Sequence, residues 1–171
     1  MGCAASSEEA SEEELQMRKA VMAAAREDDM AGVRKAIDAI KEKFNDPEKT
    51  ASACSMWDPK EDAFLFMMAL KWAAKHGNAE MCQFLIDNGA EVDVYLYAKP
   101  PRGKFSSPGG VPALAMAAAA GHMEAVKCLV RAGADPSYVN CMCQNAADMA
   151  GMGGHPEVQQ YLMSVMSAGA K

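Results

Sequence analysis

The residues of this sequence with the greatest capacity for chemistry are three histidines and six cysteines. Each histidine stands beside a glycine, as turn residues often do: His76, His122 and His155. Structural zinc requires four ligands, commonly supplied by C-x-x-C pairs, whereas the closest cysteines, Cys141 and Cys143, supply two. The sequence also contains no nucleophile-elbow motif and no phosphate-binding loop motif. We therefore predict no catalytic residue, no metal site and no cofactor.

A different kind of chemistry is indicated by residues 1–6, which match the myristoylation motif M-G-x-x-x-[ST]. Removal of the methionine would expose the amine of Gly2, and the adjacent Cys3 could then be palmitoylated. Five glutamates between positions 8 and 14 would be repelled by anionic lipid, and a single acyl chain gives only marginal binding. We predict lipidation of both Gly2 and Cys3. The alternative is a chance match to a short motif.

The composition favours helices over sheets. Half of the residues are hydrophobic, but only 6% are aromatic, and the apolar content includes 15 methionines. Such residues suit closely packed helices, so we predict an all-α fold. The formal charge of −6 argues against a nucleic-acid binder. No apolar run reaches the roughly 18 residues of a membrane span, and no signal peptide is recognisable. We therefore expect a cytosolic chain with reduced thiols.

One pattern occurs several times along the chain. The segment AAKHGNAEMCQFLIDNGAE at 73–91 is matched by AAAAGHMEAVKCLVRAGAD at 117–135, with a shorter copy at 154–163 and a weaker one at 24–40. Apolar residues of the weak copy fall at i, i+3, i+4 and i+7, which predicts one buried helix face. Gly89 and Gly133 follow the last periodic residue, where a helix C-cap in the left-handed conformation favours glycine.

These copies resemble the ankyrin repeat in their Ala-Ala pair, Gly-His turn, leucine stripe and Gly-Ala-Asp exit. The resemblance implies a solenoid of about four helix-turn-helix repeats with extended loops between them. The distance of 33 residues from Gly121 to Gly154 equals the ankyrin period of about 33. The Thr-Pro-Leu-His start of the family's first helix is replaced in each copy, by sequences such as Asn145-Ala146-Ala147-Asp148. We therefore expect its Thr-to-His hydrogen bonds to be missing throughout.

The domain organisation follows from these copies. We predict a disordered acidic arm at 1–11, a repeat domain at 12–166 and a tail at 167–171. Asp58 followed by Pro59 is typical of an N-cap with proline at the first helical position, which predicts a helix that continues through Trp72. The predicted repeats lie at about 15–43, 62–93, 107–139 and 140–166, and the insertions lie at about 44–61 and 94–110.

The second insertion is the most distinctive predicted surface, because it places three cations and three aromatic residues within 95–105 of an acidic protein. Interface anchors are drawn from such residues, and the resemblance implies that loops between repeats contact partners together with the inner helices. The predicted partner-binding residues are Tyr95, Tyr97, Lys99, Arg102, Lys104 and Phe105, with Lys75 and His76 on the inner face. The alternative is a solvated loop stiffened by Pro100 and Pro101. The full set of implied inner-face positions is Arg26, Glu27, Lys75, His76, Ala119, Ala120 and Met152.

We therefore expect a non-catalytic adaptor that binds a protein partner, with no nucleic acid and no small-molecule substrate. Acylation at Gly2 and Cys3 would tether it to the cytosolic face of a membrane. One alternative is a soluble adaptor or inhibitor of the same fold that carries no lipid. A more distant alternative is an enzyme with a thiol or histidine site, for example at Cys54 or His76.

Overall fold

Helices form nearly all of the regular structure in the computed structural model, which describes residues 12–44, 57–58, 63–93, 111–140 and 142–169. The helices are α1 (Glu12–Arg26), α2 (Met30–Phe44), α3 (Leu65–His76), α4 (Ala79–Asp87), α5 (Ala113–Ala119), α6 (Met123–Arg131), α7 (Ala146–Met152) and α8 (Pro156–Gly169). Strands β1 (Trp57–Asp58) and β2 (Ala63–Phe64) form one antiparallel pair, with Trp57 opposite Phe64. The prediction of an all-α fold is confirmed.

The helices are arranged as four successive pairs. The first helices of the pairs stack in the order α1, α3, α5 and α7, and each also packs on the second helix of its own pair. Ala73 and Ala74 of α3 are fully buried, as are Ala117 and Ala118 of α5. Since alanine has no side chain beyond Cβ, these residues allow the helix axes to approach closely.

The second helices bury the stripe that their periodicity predicts. Val33 and Ile37 of α2 have no exposed surface, and Ile40 is 1% exposed. In α8, Val158 and Leu162 are buried in the same way. The core is continuous through all four pairs, because each pair covers the apolar face of its neighbour and none could bury that face alone.

Residues in the left-handed backbone conformation occur after the second helices and in the turns between paired helices. Gly89 and Gly133 directly follow the C-cap residues of α4 and α6 and have φ values of 92° and 93°, the left-handed conformation that the sequence predicted. Gly121, between α5 and α6, has φ 77°, and the ring of His155 from the next pair packs directly against it. This contact joins the third pair to the fourth.

One sequence prediction about the helix starts is wrong. Asp58 does not cap a helix but lies in β1, where it pairs with Ala63, and the following helix begins only at Leu65. At the start of the fourth pair, where the Thr-His motif is absent, other hydrogen bonds take its place. The Asp148 amide donates to Asn145 Oδ1 at 2.9 Å, and the Asn145 amide donates to Asp148 Oδ2 at 3.0 Å. This reciprocal capping box satisfies two N–H groups that the missing Thr-His motif would otherwise leave unpaired.

Within the described part of the chain, no helix combines the length and the apolar character needed to cross a bilayer.

Candidate functional site

The stacked first helices expose one continuous surface, which we call the first-helix face. It is formed by residues at equivalent positions of the four pairs, near the carboxyl ends of the helices. None of them is buried, in contrast to neighbours such as Ala74 and Ala118. The members of the first-helix face are Ala23, Arg26, Glu27, Trp72, Lys75, His76, Met116, Ala119, Ala120, Met149, Met152 and Gly153.

An aromatic residue flanked by cations dominates the end of this face formed by α1 and α3. The Arg26 guanidinium carbon lies 5.6 Å from the centroid of the Trp72 ring, and Lys75 Nζ lies 4.8 Å from it. Both distances are within the range of cation–π attraction. The His76 ring stacks on Trp72 with centroids 6.1 Å apart and 25° between the planes. We call these four residues the Trp72 cluster.

The helix geometry explains how the Trp72 cluster forms. Residues 72, 75 and 76 are neighbours on one side of α3, since residues three and four apart share a helix face. Arg26 is contributed by the end of α1, and its position is fixed by the stacking of the two helices. His76 Nε2 lies 3.1 Å from the carbonyl oxygen of Arg26. Because a carbonyl oxygen can only accept a hydrogen bond, the N–H of the His76 ring is at Nε2 and donates to the carbonyl oxygen of Arg26.

The cations of the Trp72 cluster differ from those on the second helices. Arg34 of α2 pairs with Glu80 at 2.8 Å, and Lys127 of α6 pairs with Glu124 at 2.9 Å. Among the residues that the structure describes, Arg26 and Lys75 have no carboxylate within ion-pair distance. In a protein with a formal charge of −6, these two cations are therefore open to ion pairing with a partner.

The opposite end of the face, formed by α5 and α7, is apolar. Met152 is 73% exposed, and Met116 and Met149 are half-buried. Gln144 Nε2 lies 2.9 Å from Met152 Sδ and donates to it. Exposed methionines form adaptable apolar contact surfaces, because the side chain is unbranched and the sulfur is polarisable.

The structure describes two of the binding residues predicted from the sequence, and the others lie outside the described part of the chain. The structure brings Lys75 and His76 together on the first-helix face, where both are exposed. The predicted lipidation sites Gly2 and Cys3 lie outside the described residues. The same holds for the predicted contact residues of the second insertion: Tyr95, Tyr97, Lys99, Arg102, Lys104 and Phe105.

Trp72 is the residue that sequence reasoning missed. The sequence pattern places it in the continuation of an apolar helix, whereas its ring is half-buried and in contact with two exposed cations. A signal was available, because Trp72 precedes Lys75 by three residues and His76 by four, and therefore shares their helix face. Its contact with Arg26 could not be found in this way, since the two residues belong to different helix pairs.

The histidines connect neighbouring helix pairs. His122 Nε2 donates to the carbonyl oxygen of Lys75 at 3.1 Å, just as His76 donates to that of Arg26. These are equivalent carbonyls at the ends of successive first helices. His155 packs against Gly121. The structural role expected for His122 and His155 agrees with these contacts.

Burial shifts the pKa of two cysteines and one lysine. Burial raises the pKa of Cys82 to about 12, with a smaller contribution from neighbouring Cys128, and burial also raises the pKa of Cys128. Both thiols are therefore protonated at neutral pH, and a thiol is a poor nucleophile. Burial lowers the pKa of Lys71 to about 8. Within the described ranges, no three His, Cys, Asp or Glu side chains are grouped to hold a metal ion.

Comparison with protein families identifies one match. Residues 70–171 match the model described as Ankyrin repeats (3 copies), which covers more than half of the chain and begins within α3. A search of curated protein sequences found no match.

Proposed function

Because the chain belongs to the ankyrin-repeat family, whose repeats are protein-protein interaction modules, we propose that it is a non-catalytic adaptor that binds a protein partner at the cytosolic face of a membrane. The partner would be held by the first-helix face, and the adaptor would be tethered by acyl chains at Gly2 and Cys3. The Trp72 cluster is the observation that carries the binding part of the proposal.

The Trp72 cluster has the chemistry of an interaction anchor. Tryptophan and arginine are enriched among the residues that dominate binding energy at interfaces. Here the indole is half-buried, and its contacts with Arg26, Lys75 and His76 hold all four groups in a defined arrangement. Fewer rotamers are then lost when a partner binds. The stack of repeats extends this anchor into a longer surface.

A capture experiment with the full chain tests the binding function. The variant Arg26→Ser, Trp72→Ala, Lys75→Ser removes the anchor, and the control Lys35→Ser, Lys41→Ser, Met163→Ala changes exposed residues of the second helices. We expect the wild type and the control to cross-link the same proteins in cells, and the anchor variant to lose them while keeping its helical circular dichroism. Identical capture by all three would contradict binding through this face.

The second insertion is the other proposed contact surface. Lys99, Arg102 and Lys104 belong to residues 94–110, between the second and third helix pairs. Changing the three to serine should reduce partner capture and leave the unfolding free energy within about 0.5 kcal/mol per substitution, as is usual for surface residues. Unchanged capture would restrict binding to the first-helix face.

The membrane part of the proposal rests on residues 1–6. A myristoyl chain alone binds membranes with a constant on the order of 10⁴ M⁻¹, and the neighbouring glutamates would weaken this further. The proposal therefore requires palmitate on Cys3 in addition to myristate on Gly2.

Two variants show whether membrane attachment requires one acyl chain or two. Each is expressed in eukaryotic cells supplied with an alkyne analogue of myristate. The wild type should be labelled and sediment with membranes, and Gly2→Ala should lose both properties. Cys3→Ser should keep the label but move mostly to the soluble fraction. An unlabelled wild type would refute the anchor and favour a soluble adaptor of the same fold.

A further inference from the structure

The two ends of the first-helix face differ in chemistry. The α1 and α3 end carries Arg26 and Lys75, whose cationic groups lie 5.6 Å and 4.8 Å from the centroid of the Trp72 ring. The α5 and α7 end carries uncharged residues alone among those described: Met116, Ala119, Ala120, Met149, Met152 and Gly153. Glu27, which follows Arg26 in sequence, is the one carboxylate that the described residues contribute to the face. Two cations and one carboxylate therefore lie at one end of the face, and the other end is apolar.

The cationic end is suited to carboxylates. An arginine guanidinium can donate two parallel hydrogen bonds to one carboxylate. The Trp72 ring restricts both cationic side chains, and the bond from His76 Nε2 holds the backbone of Arg26 against α3 at 3.1 Å. Carboxylates that pair with Arg26 and Lys75 would find both donors already restricted, which lowers the entropy cost of forming the ion pairs.

From these observations we propose that the ligand of the first-helix face is an extended acidic peptide segment. Its carboxylates would pair with Arg26 and Lys75, and its apolar side chains would cover Met116, Met149 and Met152. This inference deepens the proposed binding function and depends on it. Adjacent packed helices lie about 8–10 Å apart, so the four first helices span about 25–30 Å. An extended segment rises about 3.3 Å per residue, which gives a ligand of about eight or nine residues.

An anionic membrane surface fits the face less well than a peptide. Lipid-binding segments usually carry about four to eight Lys or Arg residues, whereas the described part of this face carries two beside one glutamate. The protein as a whole has a formal charge of −6, which opposes close approach to anionic lipid. A half-buried tryptophan followed by methionines also offers apolar contacts along the face, which lipid headgroups do not match.

Selection from a random twelve-residue peptide library tests the proposal with the full-length, unacylated protein as bait. We expect the enriched peptides to carry Asp or Glu in one part and Leu, Ile, Met or Phe in another. The charge variant Arg26→Gln, Lys75→Gln should bind the best selected peptide about 2- to 30-fold more weakly, which is the effect of losing two exposed ion pairs. Higher salt should weaken wild-type binding in the same direction.

Matched controls remove the same chemistry elsewhere. The control variant Lys35→Gln, Lys41→Gln removes two exposed cations from α2 and should bind the peptide like the wild type. This control separates the effect of charge at the face from the effect of the net charge of the protein. Met152→Ser should weaken binding, whereas Met163→Ser, at a methionine of α8 that is 49% exposed, should not. Equal weakening by both charge variants would overturn the proposal.

Three further outcomes would also overturn the acidic ligand. Enrichment of basic or neutral peptides that still depend on Trp72 would refute it and leave the proposed binding function standing. If the protein binds only phosphatidylserine vesicles, and this binding depends on Arg26 and Lys75, the ligand of the face is an anionic membrane surface and not a peptide. If no peptide of the library binds and the anchor variant still cross-links the same proteins as the wild type, both the acidic-ligand proposal and the proposed binding function of the face are refuted.

Discussion

Replacing Gly121 by alanine should destabilise the protein more than the same replacement at Gly154. The two glycines occupy equivalent turns of the third and fourth helix pairs, with φ values of 77° and 80°. A Cβ atom on residue 121 would lie 2.4 Å from His155 Nδ1, whereas one on residue 154 would meet nothing within 4 Å. The comparison therefore isolates the packing of a histidine against the preceding helix pair.

The magnitudes follow from two separate costs. A left-handed backbone conformation costs an alanine about 1–2 kcal/mol, and this cost applies equally at both positions. At Gly121 the imidazole of His155 must also move, and forcing extra atoms into a packed site typically costs about 1–3 kcal/mol. We expect a loss of about 1–2 kcal/mol for Gly154→Ala and about 2–5 kcal/mol for Gly121→Ala, from a total stability of about 5–15 kcal/mol.

Urea unfolding followed by circular dichroism at 222 nm measures both losses, and a double-mutant cycle identifies their cause. In a His155→Ala background the obstructing ring is absent, so Gly121→Ala should cost no more than Gly154→Ala does in the wild type. Equal losses for the two glycine variants would refute the reasoning. An excess cost at Gly121 that persists without the imidazole would refute it as well.

Three other predictions concern buried residues. Leu129→Ala should cost about 2–5 kcal/mol in urea unfolding, because it leaves a cavity at a residue with no exposed surface; an equally stable variant would contradict its place in the core. Burial lowers the pKa of Lys71 from 10.5 to about 8, so between these values the unfolded chain binds the extra proton and this lysine makes the unfolding free energy rise with pH. The difference between wild type and Lys71→Met should therefore change between pH 8 and 10.5, and a constant difference would contradict the shift. Iodoacetamide at pH 7.5 should modify the exposed Cys143 in the native protein but reach Cys82 and Cys128 only after unfolding, as read by peptide mass spectrometry; native labelling of Cys82 would contradict its burial.

Local patterns in the sequence predicted the features that depend on neighbouring residues. The spacing of Val33, Ile37 and Ile40 predicted the buried side of α2, because apolar residues three and four apart share one helix face. Gly89 and Gly133 predicted the left-handed C-caps in the same way. The recurrence of the pattern identified the repeats and the all-α class, since units that cannot bury their own apolar face must stack.

The same patterns failed where a residue pairs with a separate segment. Asp58-Pro59 has the residue types of a helix start, but pairing of Asp58 with Ala63 holds it extended in β1. The residue types at positions 58 and 59 do not specify that strand partner. Where the Thr-His motif is absent from the fourth pair, Asn145 and Asp148 form a capping box instead, which is a local pattern of residues three apart.

The sequence by itself determined some of the outward-facing residues of the candidate site, and the tertiary structure decided which residues meet. Lys75 and His76 could be assigned to an exposed helix end from the repeat pattern. Arg26 reaches Trp72 only because α1 stacks on α3 across 46 positions of sequence that include an insertion. Helical periodicity fixes neighbours within a turn or two of the chain. Contacts between repeats depend on how closely the helix axes approach, which the buried alanines permit and only the packed structure specifies.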